Sequence, residues 1–337
     1  MALLRVMNLP PETAVLLPAY VPEGLIAPVR RSRLRVVFYS LKRDLTPDWR
    51  VLEERLKQEN PKLAVMIHYF GTAQPIRQFC EMCHRHGTLV VEDMAHVLHS
   101  CESTLGTSGD FILYSLPKML GVPDGAPLVV RTSILDPDRF EFTPDYRHTL
   151  YVTKQLARLV TSTLYRMYIG NTARQLMQRV VPWRIRKFTD SYGTLMEYFE
   201  HPNEVSSVSR YLLTRTDWQR IIHHRRRLAQ RYQDKLDPDL FERFPGAADL
   251  SHAGVGFPVL IKNRDSLVNH LKEDGIRGVY YQDRWDFFPR NETPVHEEAI
   301  KTMTQHFLFP TAQSLSLDEV DFVVKIANNW RGAKSLS

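Results

Sequence analysis

Long apolar runs are missing from this sequence. No stretch approaches the roughly 18 consecutive apolar residues of a membrane span, and no charged-then-apolar leader opens it. A membrane protein and an exported one are therefore not expected, and the cytoplasm is the expected compartment. Cysteine is scarce: three residues, an odd number, argue against a framework of disulfide bridges. Internal repeats and low-complexity tracts are also lacking. The net charge of +6 comes with no nucleic-acid motif. Its two basic clusters, Arg30-Arg31-Ser32-Arg33 and His223-His224-Arg225-Arg226-Arg227, read as solvated helix faces.

What is present is an ordinary globular balance, 43% apolar and 24% charged residues over 337 positions. That allows one large or two modest domains with ample core. The first 90 residues alternate in a βα rhythm. Residues 14–18, 34–39 and 63–69 are short apolar runs that read as strands. Residues 21–29, 48–60 and 75–86 read as helices, the second with Val51, Leu52 and Leu56 on one face and the third capped by Gly87. Such alternation predicts an α/β fold: a mostly parallel sheet with helices on both faces.

One motif inside this rhythm misleads. Cys80-Glu81-Met82-Cys83-His84 matches a haem-attachment pattern, and its cysteines could form a redox pair or half a zinc site. No second CxxC completes a four-cysteine site, and nothing suggests export. The segment fits a helix instead, with Ile76, Phe79, Cys80 and Cys83 facing the sheet.

The stretch 89–125 carries the chemistry. Leu89-Val90-Val91 is a buried-strand run ending in Glu92-Asp93, and ligands of open α/β sheets bind at the carboxyl ends of strands. A second run, 111–116, ends in Ser115-Leu116-Pro117-Lys118. Two strand ends are thus expected to present an acid, Asp93, and an amine, Lys118, with His96 three residues beyond the acid. Pyridoxal phosphate needs such a set: an amine for a Schiff base, a carboxylate for the pyridinium nitrogen and donors for the phosphate. A surface lysine and a helix-capping aspartate in an unrelated α/β domain would give the same residue types.

Residues 14–130 resemble the DegT-like sugar aminotransferases, within the fold-type-I enzymes that use pyridoxal phosphate. The resemblance rests on Leu17-Pro18-Ala19-Tyr20, His68-Tyr69-Phe70-Gly71, Glu92-Asp93-Met94-Ala95-His96, and Gly109-Asp110 leading to Ser115 and Lys118. It implies that Lys118 carries the Schiff base, Asp93 pairs with the pyridine nitrogen and Ser115 donates to the phosphate. His96 stands where the family usually has Gln, beside the cofactor's phenolic oxygen. The activity implied is transfer of an amino group to a keto sugar, linked to a nucleotide, by a homodimer. The alternative is a non-catalytic relative acting as a partner or regulatory protein. By the same resemblance a Gly-Ser or Gly-Thr turn should open a phosphate-binding helix before Ala14. Only about a dozen residues stand there, so that element is expected to be absent.

The rest of the chain is expected to form a helical insertion near residues 140–200, then helix over 205–236. Strands at 254–261, 278–281 and 306–309 and helices at 264–274 and 316–330 follow, the last opened by a Ser316/Glu319 capping box. Together these predict a large cofactor-binding domain over 1–204. A bridging helix and small C-terminal α/β domain would fill 205–337.

Overall fold

The computed structural model describes residues 1–98, 105–131, 135–142, 148–157, 203–245, 252–280 and 294–332. Most of the expected helical insertion lies outside the described residues, although 148–157 are helical.

Six strands build the main sheet: β1 (Ala14–Pro18), β2 (Arg35–Tyr39), β3 (Leu63–Ile67), β4 (Leu89–Asp93), β6 (Phe111–Leu113) and β7 (Leu128–Val130), in the order β2-β1-β3-β4-β6-β7. All neighbours run parallel except β7, which is antiparallel to β6. Every residue of β1 and β3 is buried. A strand covered on both faces reads as a continuous apolar run, which is why these two are legible without alternation. Right-handed crossovers place helix Glu23–Arg31 on one face. Helices Trp49–Glu59 and Ile76–Arg85 lie on the other, because the direction of travel across the sheet reverses after β2.

Local chemistry sets the helix ends. Asp48 accepts hydrogen bonds from the amides of Arg50 and Val51 at the start of its helix, and Asn60 closes it in the left-handed conformation. The Ser316/Glu319 capping box forms as expected at the start of helix Leu317–Asn328. Cys80 and Cys83 are buried in helix Ile76–Arg85. Burial pushes the Cys80 thiol up to about 12 and the Cys83 thiol higher still, so neither is poised as a reactive thiolate.

A second sheet, β11-β10-β8, is antiparallel and built from β8 (Glu242–Arg243), β10 (Gly256–Leu260) and β11 (His306–Pro310). Its core contains Leu228 and Tyr232 from helix Trp218–Lys235, Leu267 and Leu271 from helix Arg264–Glu273, and Val320 and Val324 from helix Leu317–Asn328. A short antiparallel pair, β5 (Val97–Leu98) with β9 (Ala253–Gly254), ties this part of the chain to the segment just after His96.

Several expectations need correction. The run at 254–261 is broken at Val255 into β9 and β10, which join different sheets. Of the strand expected at 278–281, only an isolated bridge from Val279 to Leu308 forms among the described residues. The helix expected across 205–236 is two helices, Ser207–Leu213 and Trp218–Lys235, because Asp217 caps the second through the Arg220 amide. A short helix, Ala2–Met7, precedes β1 and buries Leu4, where the residue pattern alone assigns no element. None of the described helices is long and apolar enough to cross a membrane.

Candidate active site

β4 is a central strand, flanked by β3 and β6. Its side chains alternate between the faces of the sheet, so Glu92 and Asp93 point opposite ways and meet different environments. Asp93 ends the strand, buried, and its carboxylate accepts the Ala95 amide at 2.8 Å. Burial pushes its pKa up, against the attraction of Lys118.

Lys118 does not extend from a strand end. β6 stops at Leu113, and Lys118 lies in a one-turn helix, Leu116–Met119, with Ser115 at the N-cap position. Pro117 in the first turn favours this, since its fixed φ is preorganised for helix and its missing amide is not needed there. The Leu116 amide is held by the Gly125 carbonyl at 3.0 Å. Much of the Lys118 side chain is accessible, yet enough protein surrounds the ammonium for desolvation to lower its pKa, opposed by Asp93. Desolvation thus draws the acid and the amine both towards neutrality, each restrained by the other's charge.

His96 joins them. Its Nε2 lies 3.3 Å from Lys118 Nζ. Burial, with Lys118 and His306 adding repulsion, holds its pKa well below the ordinary histidine range, so the ring is neutral near pH 7. Its Nδ1 is buried and has no hydrogen-bond partner among the described residues. The ring stacks on Phe70 with centroids 5.6 Å apart and planes 12° from parallel. His306 stacks on Phe70 with centroids 5.5 Å apart and the same small angle. Phe70 reaches this position in a left-handed backbone conformation, φ 57°. Tyr20 is buried and its hydroxyl meets His306 Nδ1 at 2.9 Å, so it belongs to the core behind this stack.

The structure therefore brings Asp93, His96 and Lys118 together and places Ser115 one turn before the lysine. The Ser115 side chain makes no cap hydrogen bond to the helix it opens. An amine for the Schiff base and a carboxylate for the ring nitrogen are what pyridoxal phosphate needs, and the unpartnered His96 Nδ1 and the Ser115 hydroxyl stand near them as further polar groups, so the residues present fit it.

Sequence reasoning missed what supports this set. Glu92 is fully buried on the other face. It accepts the amides of Gly106 (2.7 Å), Ser108 (3.1 Å) and Gly109 (2.9 Å) and the Nε2 of His68 (3.1 Å). His68 Nδ1 accepts the Gln74 amide, and its own amide donates to the Asp93 carbonyl. Burial pushes the Glu92 carboxyl up, but the bonds from His68, Gly109 and Gly106 together outweigh it and hold it below the usual range. A charged residue inside an otherwise apolar strand was the available signal.

Phe70 and Gly71 meet β9 at close range. A Cβ on Gly254 would lie 1.9 Å from the Phe70 carbonyl oxygen, and one on Gly71, whose φ is +100°, 2.7 Å from Gly254 Cα. Gly254→Ala must displace backbone, so we expect a loss of about 1–3 kcal/mol or more in stability by urea denaturation. Because Phe70 would move, cofactor affinity should fall with it. Unchanged stability would mean that the close approach is not maintained in solution.

The model of the DegT/DnrJ/EryC1/StrS aminotransferase family matches residues 1–117 and 206–327, more than half of the chain. Among similar solved structures, Spr1654 from Streptococcus pneumoniae in its PLP form superimposes with a TM-score of 0.67 at 12% identity, covering 97% of this chain and 82% of its own. Sugar aminotransferase CalS13 from Micromonospora echinospora gives 0.63 at 18% identity, with 97% and 83% covered. DesV of S. venezuelae, solved with a ketimine intermediate, gives 0.64 at 17% identity, with 98% and 81% covered. At these identities the likeness to the solved structures establishes the fold, a mostly parallel α/β sheet of the type that aminotransferases share.

Proposed function

The chain belongs to the DegT/DnrJ/EryC1/StrS aminotransferase family, and from that premise we propose that it transfers an amino group from an amino acid such as glutamate to a keto sugar carried on a nucleotide. The cofactor is pyridoxal phosphate, which when bound supplies an electron sink for the substrate's α-carbon. Lys118 would hold it covalently and Asp93 would carry the counter-charge for its ring nitrogen. His96 would use its free Nδ1 or Nε2 on the ring's oxygen side, and Ser115 would donate to the phosphate. Lys118 has a second task, taking a proton from the substrate carbon at Nζ and returning it to the product. An amine whose pKa is lowered by desolvation is free to do so nearer neutral pH. The division at residue 204 into a cofactor-binding and a C-terminal unit, the homodimer and the cytoplasmic location belong to this proposal.

The observation that carries it is the meeting of Asp93, His96 and Lys118 at one end of the central strands, with Lys118 Nζ 3.3 Å from His96 Nε2. Purified full-length protein with added pyridoxal phosphate should show a visible absorbance band. L-glutamate should bleach it, and a nucleotide-linked keto sugar should restore it with an amino sugar detectable by mass spectrometry. A protein that binds no cofactor at millimolar concentration would overturn the proposal in favour of the non-catalytic relative. Sedimentation showing only monomer at high concentration would remove the homodimer.

A further inference from the structure

Arg225 is a buried cation that no acid accompanies among its bonded partners. It sits on helix Trp218–Lys235 in line with Ile222, Leu228 and Tyr232, the stripe that packs inward. The basic cluster around it reads from sequence as a solvated face, and Arg226 and Arg227 are exposed, but only 4% of Arg225 is. Its Nη1 donates to the Gly254 carbonyl at 3.1 Å. Its Nη2 donates to the Met119 carbonyl at 2.9 Å and to Gln313 Oε1 at 3.0 Å. Nε has no hydrogen-bond partner among the described residues. Burial lowers its pKa to about 10, so it stays charged at neutral pH.

Burying a guanidinium without a carboxylate is costly, and an aliphatic side chain would pack that stripe without the cost. The three acceptors say what the charge does. Met119 follows Lys118 directly, and its carbonyl is one of those left without an intrahelical amide at the end of the one-turn helix. Gly254 lies in β9, paired with Val97, the residue after His96. Gln313 follows β11. One planar fork therefore grips the lysine's turn, the strand that fixes the segment after His96, and the C-terminal part of the chain.

We propose that Arg225 is a positioning residue for Lys118: by holding the Met119 and Gly254 carbonyls together it fixes the lysine's turn against the segment that carries His96. The proposal concerns the reactivity of Lys118 and rests on the reading of that residue as the cofactor lysine, so its test includes a measurement that needs no cofactor. Full-length apo protein is labelled with trace acetic anhydride across a pH series. The extent at Lys118 is read by peptide mass spectrometry against Lys62, an exposed lysine.

In Arg225→Met the turn is released and Nζ gains water. The Lys118 labelling midpoint should rise by half to one pH unit, about three- to tenfold less free amine at pH 8. Lys62 should not change. Arg225→Lys, which keeps the charge but not the fork, should fall between Arg225→Met and the parent. Capture of pyridoxal phosphate, followed by absorbance, should slow in the same order. A folded Arg225→Met with the parental midpoint at Lys118 would overturn the proposal. If Arg225→Met fails to fold, Arg225→Lys and Gln313→Ala decide instead, and parental midpoints in both overturn it equally. Should the parent protein bind no cofactor, the labelling series still decides the role of Arg225, while the aminotransferase reading fails on the absorbance result.

Discussion

Lys118→Ala is expected to lose both the visible absorbance of bound cofactor and covalent retention of cofactor after borohydride reduction. Turnover should fall by roughly 10²–10⁴-fold or more, the range for removing a positioned proton-transfer group. The fold should survive, because Lys118 is exposed and the hydrogen bond its side chain makes among the described residues is the 3.3 Å one to His96. Its loss should even relieve a neighbour, since Lys118 is one of the charges that hold the His96 pKa down. The useful comparison is Lys118→Arg, which keeps the charge beside Asp93 but cannot form the covalent link. Noncovalent binding should persist there without the absorbance band. If Lys118→Ala retains cofactor through reduction and dialysis, another lysine is the attachment point and the site assignment is wrong.

Glu92 and Asp93 are neighbours whose replacement should act with opposite signs. Removing the Glu92 carboxylate with Ala leaves the buried amides of Gly106 and Gly109, the half-buried amide of Ser108 and the buried His68 Nε2 without an acceptor. At about 1–3 kcal/mol for each buried group left unsatisfied, and allowing for relaxation, we expect Glu92→Ala to cost about 3–5 kcal/mol in chemical denaturation. Its pKa is depressed below the ordinary 4.5. Its contribution is therefore complete above pH 4.5 and is lost as pH falls through the lower, folded-state value. Glu92→Gln should blunt that acid limb.

Asp93 runs the other way. Its pKa is raised above the ordinary 3.8 by burial, so as pH climbs past 3.8 the unfolded chain ionises first and stability falls until the folded-state value is passed. Asp93→Asn should make the cofactor-free protein more stable at pH 7 while weakening its hold on the cofactor, which loses its counter-charge. A residue whose removal stabilises the empty fold is one kept for what it binds. An Asp93→Asn protein that is destabilised, with unchanged cofactor affinity, would falsify the assignment of Asp93 to the ring nitrogen.

Residue order alone determined the elements whose causes are local. Ala14–Pro18 and Leu63–Ile67 are continuous apolar runs because both their faces are covered. Asp48 and the Ser316/Glu319 pair mark helix starts because their oxygens satisfy amides within three residues. The nearness of Asp93 to Lys118, which attract each other electrostatically, was also legible, since β4 and β6 are adjacent parallel strands and the lysine's turn directly follows β6. Three-dimensional packing decided everything that depends on distant partners. It put Lys118 on a one-turn helix, sent Glu92 to the opposite face from Asp93, and stacked both His96 and His306 on Phe70, with His306 lying 236 positions further along the chain than Phe70. It also buried Arg225 inside a cluster that composition marks as solvated. Periodicity and capping act over one turn or one strand. Whether a charge ends in water or against three carbonyl and amide oxygens depends on which surfaces the crossovers press together, and no local pattern encodes that.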